Sequence, residues 1–310
     1  MRAVGITEPG SYEVLEVVEL ETPEPGPNEV RVAVAAAEVS PADTILRMKG
    51  NAETVPAPWI PGWDAAGVVD AVGPGVERLA LGQRVMAAVT PRRPEGGAQA
   101  EQIVVSAASV VPIPDGLTAE QASTLPMNGL TARLGLEELG LSAGQTLAVS
   151  GGAGLLASYV IAIAKDLGLR VIADAKEDDA ELVRSFGADQ VVPRGDFAAA
   201  VREVAPEGVD GVFDTAVLNA DALDAVRDGG AMVTVRFWKP DEEPRGIAVK
   251  PIMVTTVLER TDWLEDLSRL AAEGKLALRT PTTYPPEQVA EAQRAMDAGD
   301  LRGGRGVIVF

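Results

Sequence analysis

The sequence predicts an α/β protein, with a β-rich N-terminal domain of barrel or sandwich type followed by a doubly wound parallel sheet. Three observations predict it. Residues 1–117 carry short apolar runs cut by Pro and Gly. From Gln145 onward, strand and helix patterns alternate. A glycine cluster, Gly151-Gly152-Ala153-Gly154, stands at one of the strand-to-helix junctions. The 310 residues exceed one ordinary core and fit two domains, and an apolar content of 46% fills both.

In the first part, Val30–Val34 alternates and is β-branched, and Ala65–Val72 and Val85–Val89 are short apolar runs. Pro23, Pro25, Gly26, Pro27, Gly73, Pro74, Gly75 and Gly82 mark turns between them. Thr118 with Gln121 reads as a capping box that opens a helix. Thr146–Ser150 is a buried strand, and Leu155–Leu167 is an apolar helix closed by Gly168. Strands follow at Arg170–Ala173, Gln190–Val192, Gly211–Thr215 and Ala231–Val235. Helices are expected at Asp178–Phe186, Phe197–Val204 and Ala220–Arg227. Strand–helix units of this length imply parallel pairing. Beyond them, Ile247–Val257 alternates weakly as an edge strand. Trp263–Ala272 and Pro286–Ala298 are helices, and Gly306–Phe310 is a terminal strand.

Composition excludes much chemistry. The chain has no Cys and no His, which removes disulfides, thiolate nucleophiles, Cys/His zinc sites and the commonest general base. No metal site is expected, because no Asp/Glu spacing asks for a hard cation. A formal charge of −19 and a pI near 4.4 argue against nucleic acid or anionic lipid as partners. No apolar run reaches roughly eighteen residues, so no membrane span is expected. Met1–Gly10 lacks the pattern of a signal peptide, which makes the cytoplasm the expected location.

The glycine cluster carries the functional reading. A dinucleotide pyrophosphate needs a helix N-terminus, where unpaired amides and the positive dipole end face it. One glycine permits the tight turn, the next lets backbone approach phosphate, and a last small residue lets helix pack on strand; Gly151, Gly154 and Ala157 occupy those places. The cofactor-binding residues read here are Gly151, Gly152, Ala153, Gly154 and Leu155. The structural alternative is an ordinary strand–helix turn. The end of the next strand, Val171-Ile172-Ala173-Asp174-Ala175-Lys176, discriminates NAD from NADP. If the strand ends at Ala175, Lys176 follows a neutral position, and Arg194 supplies a second cation for a 2′-phosphate. In the opposing readings Asp174 grips the ribose and both cations are solvated surface groups.

Several segments carry a family resemblance. They are Val39-Ser40-Pro41-Ala42-Asp43-Thr44, Pro61-Gly62-Trp63-Asp64-Ala65-Ala66-Gly67-Val68-Val69, Gly82-Gln83-Arg84-Val85, Gly96-Gly97-Ala98-Gln99-Ala100-Glu101, Leu130-Thr131-Ala132, Val149–Ala173 and Gly303–Phe310. In that order they resemble the zinc-independent quinone oxidoreductase and zeta-crystallin branch of the medium-chain dehydrogenase/reductase superfamily. The resemblance implies a GroES-like β-barrel catalytic domain, residues 1–118 and 276–310, interrupted by a Rossmann dinucleotide-binding domain, residues 119–275. It implies NADP (NADPH) in the cleft between them. It also implies hydride transfer to a quinone, enone or enoyl-type conjugated carbonyl, and a homodimer joined through Ile247–Thr256. Ser40 stands where the family has Asn, Gln99 replaces a Tyr, and Leu155 and Ala157 replace glycines.

Site roles follow from that resemblance. Ser40 is the candidate donor to a developing enolate, or else a local turn cap. Asp43, a catalytic candidate with Ser40, orients a ribose or a neighbouring side chain or transfers a proton, or else is a structural cap. Thr131 lies by family position near the nicotinamide, or else packs its helix, and Thr215 and Arg305 join the cofactor set, Arg305 toward the adenosine phosphate. Trp63, Phe237 and Trp238 are assigned to the substrate pocket, with core packing as the alternative for Trp63. The basic spots Arg92-Arg93 and Arg302–Arg305 stand out on an acidic chain. Two further functional classes stay open: a redox-silent relative catalysing cyclisation or isomerisation in a biosynthetic pathway, and a non-catalytic dinucleotide-binding protein.

Overall fold

The first strands follow the alternating patterns closely. A computed structural model describes residues 1–51, 55–301 and 304–310. Strands β1 (Arg2–Ile6), β2 (Leu15–Glu19) and β3 (Glu29–Val39) lead into helix α1 (Pro41–Lys49). Strands β4 (Asp64–Val72), β5 (Arg84–Ala88), β6 (Gln102–Ser106) and β7 (Val110–Pro112) follow. Helix α2 (Ala119–Ala122) opens on the expected Thr118–Gln121 capping box, and α3 (Pro126–Leu139) comes next. The alternating part runs β8 (Thr146–Ser150), α4 (Leu155–Asp166), β9 (Arg170–Ala175), α5 (Ala180–Ser185), β10 (Gln190–Pro193) and α6 (Phe197–Val204). It continues through β11 (Val209–Asp214), β12 (Val226–Thr234) and β13 (Ala248–Pro251). The chain then forms α7 (Thr261–Ala272), β14 (Thr282–Tyr284), α8 (Val289–Ala298) and β15 (Gly306–Val309).

Packing divides these elements into two units, one of Met1–Met127, Val257–Ala272 and Leu278–Phe310, the other of Asn128–Thr256 and Glu273–Ala277. In the first, a mixed sheet runs β14-β15-β3-β4-β5-β7, with β6 also paired to β3, beside a β1–β2 ribbon. Strand β3 is the hub: it pairs antiparallel with β15, β4 and β6. Val30, Val32 and Val34 point to one face and pack with Val69, Val85 and Ile103 in the main core of this unit.

The second unit is a six-stranded sheet, β10-β9-β8-β11-β12-β13, parallel throughout. Strand order reverses beside β8, so its carboxyl edge is the switch point where doubly wound sheets bind ligands. Helix α4 is buried from Leu155 to Ala164, with only Leu156 partly outside in that stretch, and emerges at Lys165 and Asp166. This explains why its sequence is apolar all round rather than on one stripe.

Three expected elements differ in type or extent. Ala220–Arg227 is a 3₁₀ turn over Asn219–Ala225, because β12 already begins at Val226 and leaves no room for an α-helical crossover. Of Ile247–Val257 only Ala248–Pro251 pairs, at the edge of the sheet, and Val254–Thr256 is a 3₁₀ turn. The helix expected from Asp178 begins as a 3₁₀ turn, Glu177–Asp179, and becomes α-helical at Ala180. Among the described residues no helix is long and apolar enough to cross a membrane.

Candidate dinucleotide site

The turn between β8 and α4 is shaped by two glycines. Gly151 has φ +69°, a left-handed conformation that an L side chain rarely adopts. At Gly152 an added Cβ would lie 2.8 Å from Asp174 O and 3.0 Å from Ala173 Cβ, so the close approach to β9 excludes a side chain. The Gly151 N–H donates to the Asp174 carboxylate, Gly152 N donates to Asp174 O (3.0 Å), and Gly154 N donates to Gly151 O (2.8 Å). Gly154 is the N-cap of α4; no side chain caps the helix there and no acidic residue lies in its first turn. The leading amides and positive dipole end of α4 therefore suit an anion. Leu155, in the place of a family glycine, is 4% exposed and turns into the core, away from that anion position.

Strand β9 ends at Ala175, so the position that discriminates cofactors is neutral and Lys176 follows it. Asp174 is buried and its carboxylate accepts from the Gly151 amide. Burial pushes its pKa up; the Gly151 hydrogen bond and the charge of Arg194 oppose that. Arg194 N donates to Ala175 O (2.9 Å), which draws the end of β10 beside that of β9. Lys176 and Arg194, both exposed, line one groove of about 580 Å³ with Glu177, Val191 and Pro193. Its chemistry is that of an anion-accepting groove with apolar walls and one carboxylate at the rim.

On the other side of β8, Thr215 Oγ1 donates to Ser150 O (2.5 Å) at the end of β11. Thr131, on α3, is buried. The pair at the end of β12 divides its roles. Trp238 packs against the sheet core and its carbonyl accepts from Thr234 Oγ1 (2.8 Å), whereas Phe237 is 56% exposed with φ +60°. An exposed aromatic in a left-handed backbone is unusual.

The first unit holds a second constellation, built at the end of β3. Ser40, Asp43, Glu38 and Asp64 are fully buried. Asp43 accepts from Ser40 N (2.8 Å), Gly62 N (2.9 Å) and Gln99 Nε2 (3.3 Å). It thereby ties α1 to the turn before β4, an orienting role. Burial pushes its pKa up to about 7, with the Glu38 charge adding and the Ser40 and Gly62 amides opposing. Asp64 is pushed up too, by burial first and then by Glu38. Ser40 and Asp43 form a capping box at the start of α1, and Trp63 Nε1 is buried without a hydrogen-bond partner. Arg305, assigned from the sequence to the adenosine phosphate, donates from its Nε to Glu38 Oε1 (2.7 Å), with the guanidinium largely buried. The buried Glu38 charge demands that partner. Arg302 and Gly303, also singled out in the sequence, lie outside the described residues.

Comparison with known proteins decides the family. Residues 26–115 match the family model of the alcohol dehydrogenase GroES-like domain, and residues 186–304 match that of zinc-binding dehydrogenase. The chain is 32% identical to 2-methylene-furan-3-one reductase of Solanum lycopersicum over 98% of its own length and 78% of that protein. It is 31% identical to the chloroplastic NADPH-dependent alkenal/one oxidoreductase of Arabidopsis thaliana, over 94% of its length and 76% of that protein. The solved quinone oxidoreductase of Pseudomonas syringae pv. Tomato DC3000 superposes with a TM-score of 0.87 at 25% identity, covering 100% of this chain and 99% of that one. The chain belongs to the medium-chain dehydrogenase/reductase superfamily, in its quinone oxidoreductase-like branch.

Within that superfamily the zinc-binding description has no Cys or His donors here to act on. The membership makes the chain an oxidoreductase with a nicotinamide dinucleotide site. The glycine turn, with its two close-approach constraints and uncapped helix, fits that group. The sequence reading missed Glu38, Ser150 and Asp214. A lone charge inside the apolar run Val34–Val39 signalled Glu38; the polar last residues of two parallel strands signalled the other two.

Proposed function

We propose that this oxidoreductase uses NADPH to reduce the carbon–carbon double bond of an α,β-unsaturated carbonyl, or a quinone. The observation that carries the reading is the α4 N-terminus, with Leu155 turned inward, next to a groove flanked by Lys176 and Arg194. The leading amides of α4 bind the pyrophosphate, and the two cations bind the adenosine 2′-phosphate, which NADH lacks. The bound dinucleotide supplies the hydride. Phe237 offers an apolar contact for the substrate. Ser40 Oγ donates a hydrogen bond to the oxygen on which charge develops, held in place by Asp43 at its amide. Ser40 is fully buried at the start of α1, where its capping box with Asp43 fixes the hydroxyl.

Fluorescence titration with NADPH and NADH, followed by oxidation at 340 nm against a panel of quinones and enones, tests the proposal. Tight NADPH binding with turnover of at least one acceptor is expected. Failure of both nucleotides at millimolar concentration would refute it. Binding without oxidation of any acceptor would instead favour a redox-silent or purely binding role. A homodimer belongs to the same proposal: β13 ends its sheet and, among the described residues, pairs only with β12. A monomer in sedimentation at working concentration would remove it.

A further inference from the structure

Asp214, the last residue of β11, is fully buried. Its Oδ1 accepts from Ser150 Oγ (2.6 Å) and Leu218 N (3.0 Å), and its Oδ2 accepts from Asn219 N (2.8 Å). Ser150 Oγ in turn accepts from Ala216 N (3.0 Å). With Thr215 Oγ1 on Ser150 O, four residues of the 215–219 turn are bound to the end of β8 or to Asp214. The two residues flanking Leu218 are left-handed, Val217 with φ +60° and Asn219 with φ +57°. A β-branched residue holds that conformation only where its surroundings over-determine it, and such strain gathers at ligand clamps.

The turn faces the glycine turn. A Cβ built on Gly151 would meet Ala216 Cβ at 3.1 Å and Thr215 Oγ1 at 3.3 Å. Strand order puts it on the side of β8 opposite to β9 and β10, whose ends carry Lys176 and Arg194. A dinucleotide with its adenosine end in that groove and its pyrophosphate on α4 extends toward residues 215–219.

We propose that Asp214 is a positioning residue for the nicotinamide half of the dinucleotide: through Ser150 and the amides of Leu218 and Asn219 it fixes the 215–219 turn against Gly151. The assignment rests on the NADPH reading above. No part of Asp214 itself is exposed to meet a ligand; it acts through the turn.

The test compares the full-length wild type with Asp214→Asn and Ser150→Ala by calorimetry against two probes. One is NADPH, the other adenosine 2′,5′-bisphosphate, which has the adenosine end and no nicotinamide. Asn replaces one acceptor oxygen by an NH₂ donor and strands an amide of the turn; Ala at 150 strands the Ala216 amide. Either change is expected to weaken NADPH about tenfold and the bisphosphate less than about twofold. The double variant should weaken NADPH no more than the worse single one, because both changes break one network. Equal weakening of the two probes, or no weakening in a variant that melts like wild type, would overturn the assignment. Loss of a cooperative melt in both variants would make the pair fold determinants and overturn it as well. Wild-type protein that binds neither probe would instead overturn the NADPH reading on which it rests.

Discussion

Replacing Lys176 and Arg194 together by alanine removes both cations from the groove of about 580 Å³ at the ends of β9 and β10. Both side chains are exposed, so their attraction to a phosphate is screened. A unit charge pair at 4 Å is worth about 1 kcal/mol in bulk water and about 4 kcal/mol at an effective dielectric constant near 20. The open groove lies toward the first limit, which gives about 1.5 kcal/mol per cation. That converts to about tenfold in affinity for each residue and about a hundredfold for the pair. Arg194 is expected to account for the larger part, since a guanidinium can bind two phosphate oxygens at once. NADH carries no 2′-phosphate, so its affinity should change less than about twofold. Nicotinamide fluorescence titration at low salt reads both constants on the same samples. Equal losses for the two nucleotides, or no loss for either, would refute the assignment of this groove to the 2′-phosphate.

Gly152→Ala should lower the melting temperature by several degrees, because its Cβ would sit 2.8 Å from Asp174 O. Gly154→Ala, whose Cβ meets only Gly151 O at 3.2 Å, should melt close to wild type, and a reversed order by differential scanning calorimetry would contradict the close-approach argument. Arg305→Met should destabilise its unit by about 3 kcal/mol by leaving Glu38 buried without its cation, while the NADPH-to-NADH affinity ratio stays unchanged. A change in that ratio would return Arg305 to the cofactor. Asp43 has a folded pKa of about 7 against 3.8 for its ordinary value, so between these pH values the folded chain binds a proton that the unfolded chain releases. Its contribution to stability then declines as pH rises through that window, by about 1.4 kcal/mol per pH unit, and is fully lost above it. Indicator-dye measurement of urea unfolding near pH 5.5 should find about one proton fewer released by Asp43→Asn; an unchanged count would place the titration elsewhere.

The parallel sheet was legible because each strand and helix carries its own period and its own stop signal. The strand Thr146–Ser150 and the helix Phe197–Val204 have the bounds read from the residues alone. The 3₁₀ turn at Asn219–Ala225 was not legible, because the start of β12 at Val226 shortens the crossover and Asp214 captures amides at its beginning, contacts without local periodicity. Asp174 and Arg305 illustrate the same limit at the site. A charge at a strand end reads alike whether it faces a ligand or a neighbouring strand, and only pairing reveals that Asp174 serves Gly151 and Arg305 serves Glu38. For Phe237 and Trp238 the order of the two aromatics carried no orientation; the positive φ at Phe237 sets it.

The pairing of β15 with β3 bears on how the chain is made. The segment Gly306–Val309 lies against Ala36–Val39, so residues from opposite ends of the sequence close one sheet. All six strands of the parallel sheet lie between Thr146 and Pro251. A ribosome therefore delivers everything that sheet needs well before it delivers residue 309. The N-terminal strands, though synthesised first, must wait with the Ala36–Val39 end of β3 unpaired on the side where β6 covers only Glu29–Ala33, and that short edge is where chaperone binding or aggregation during synthesis should concentrate.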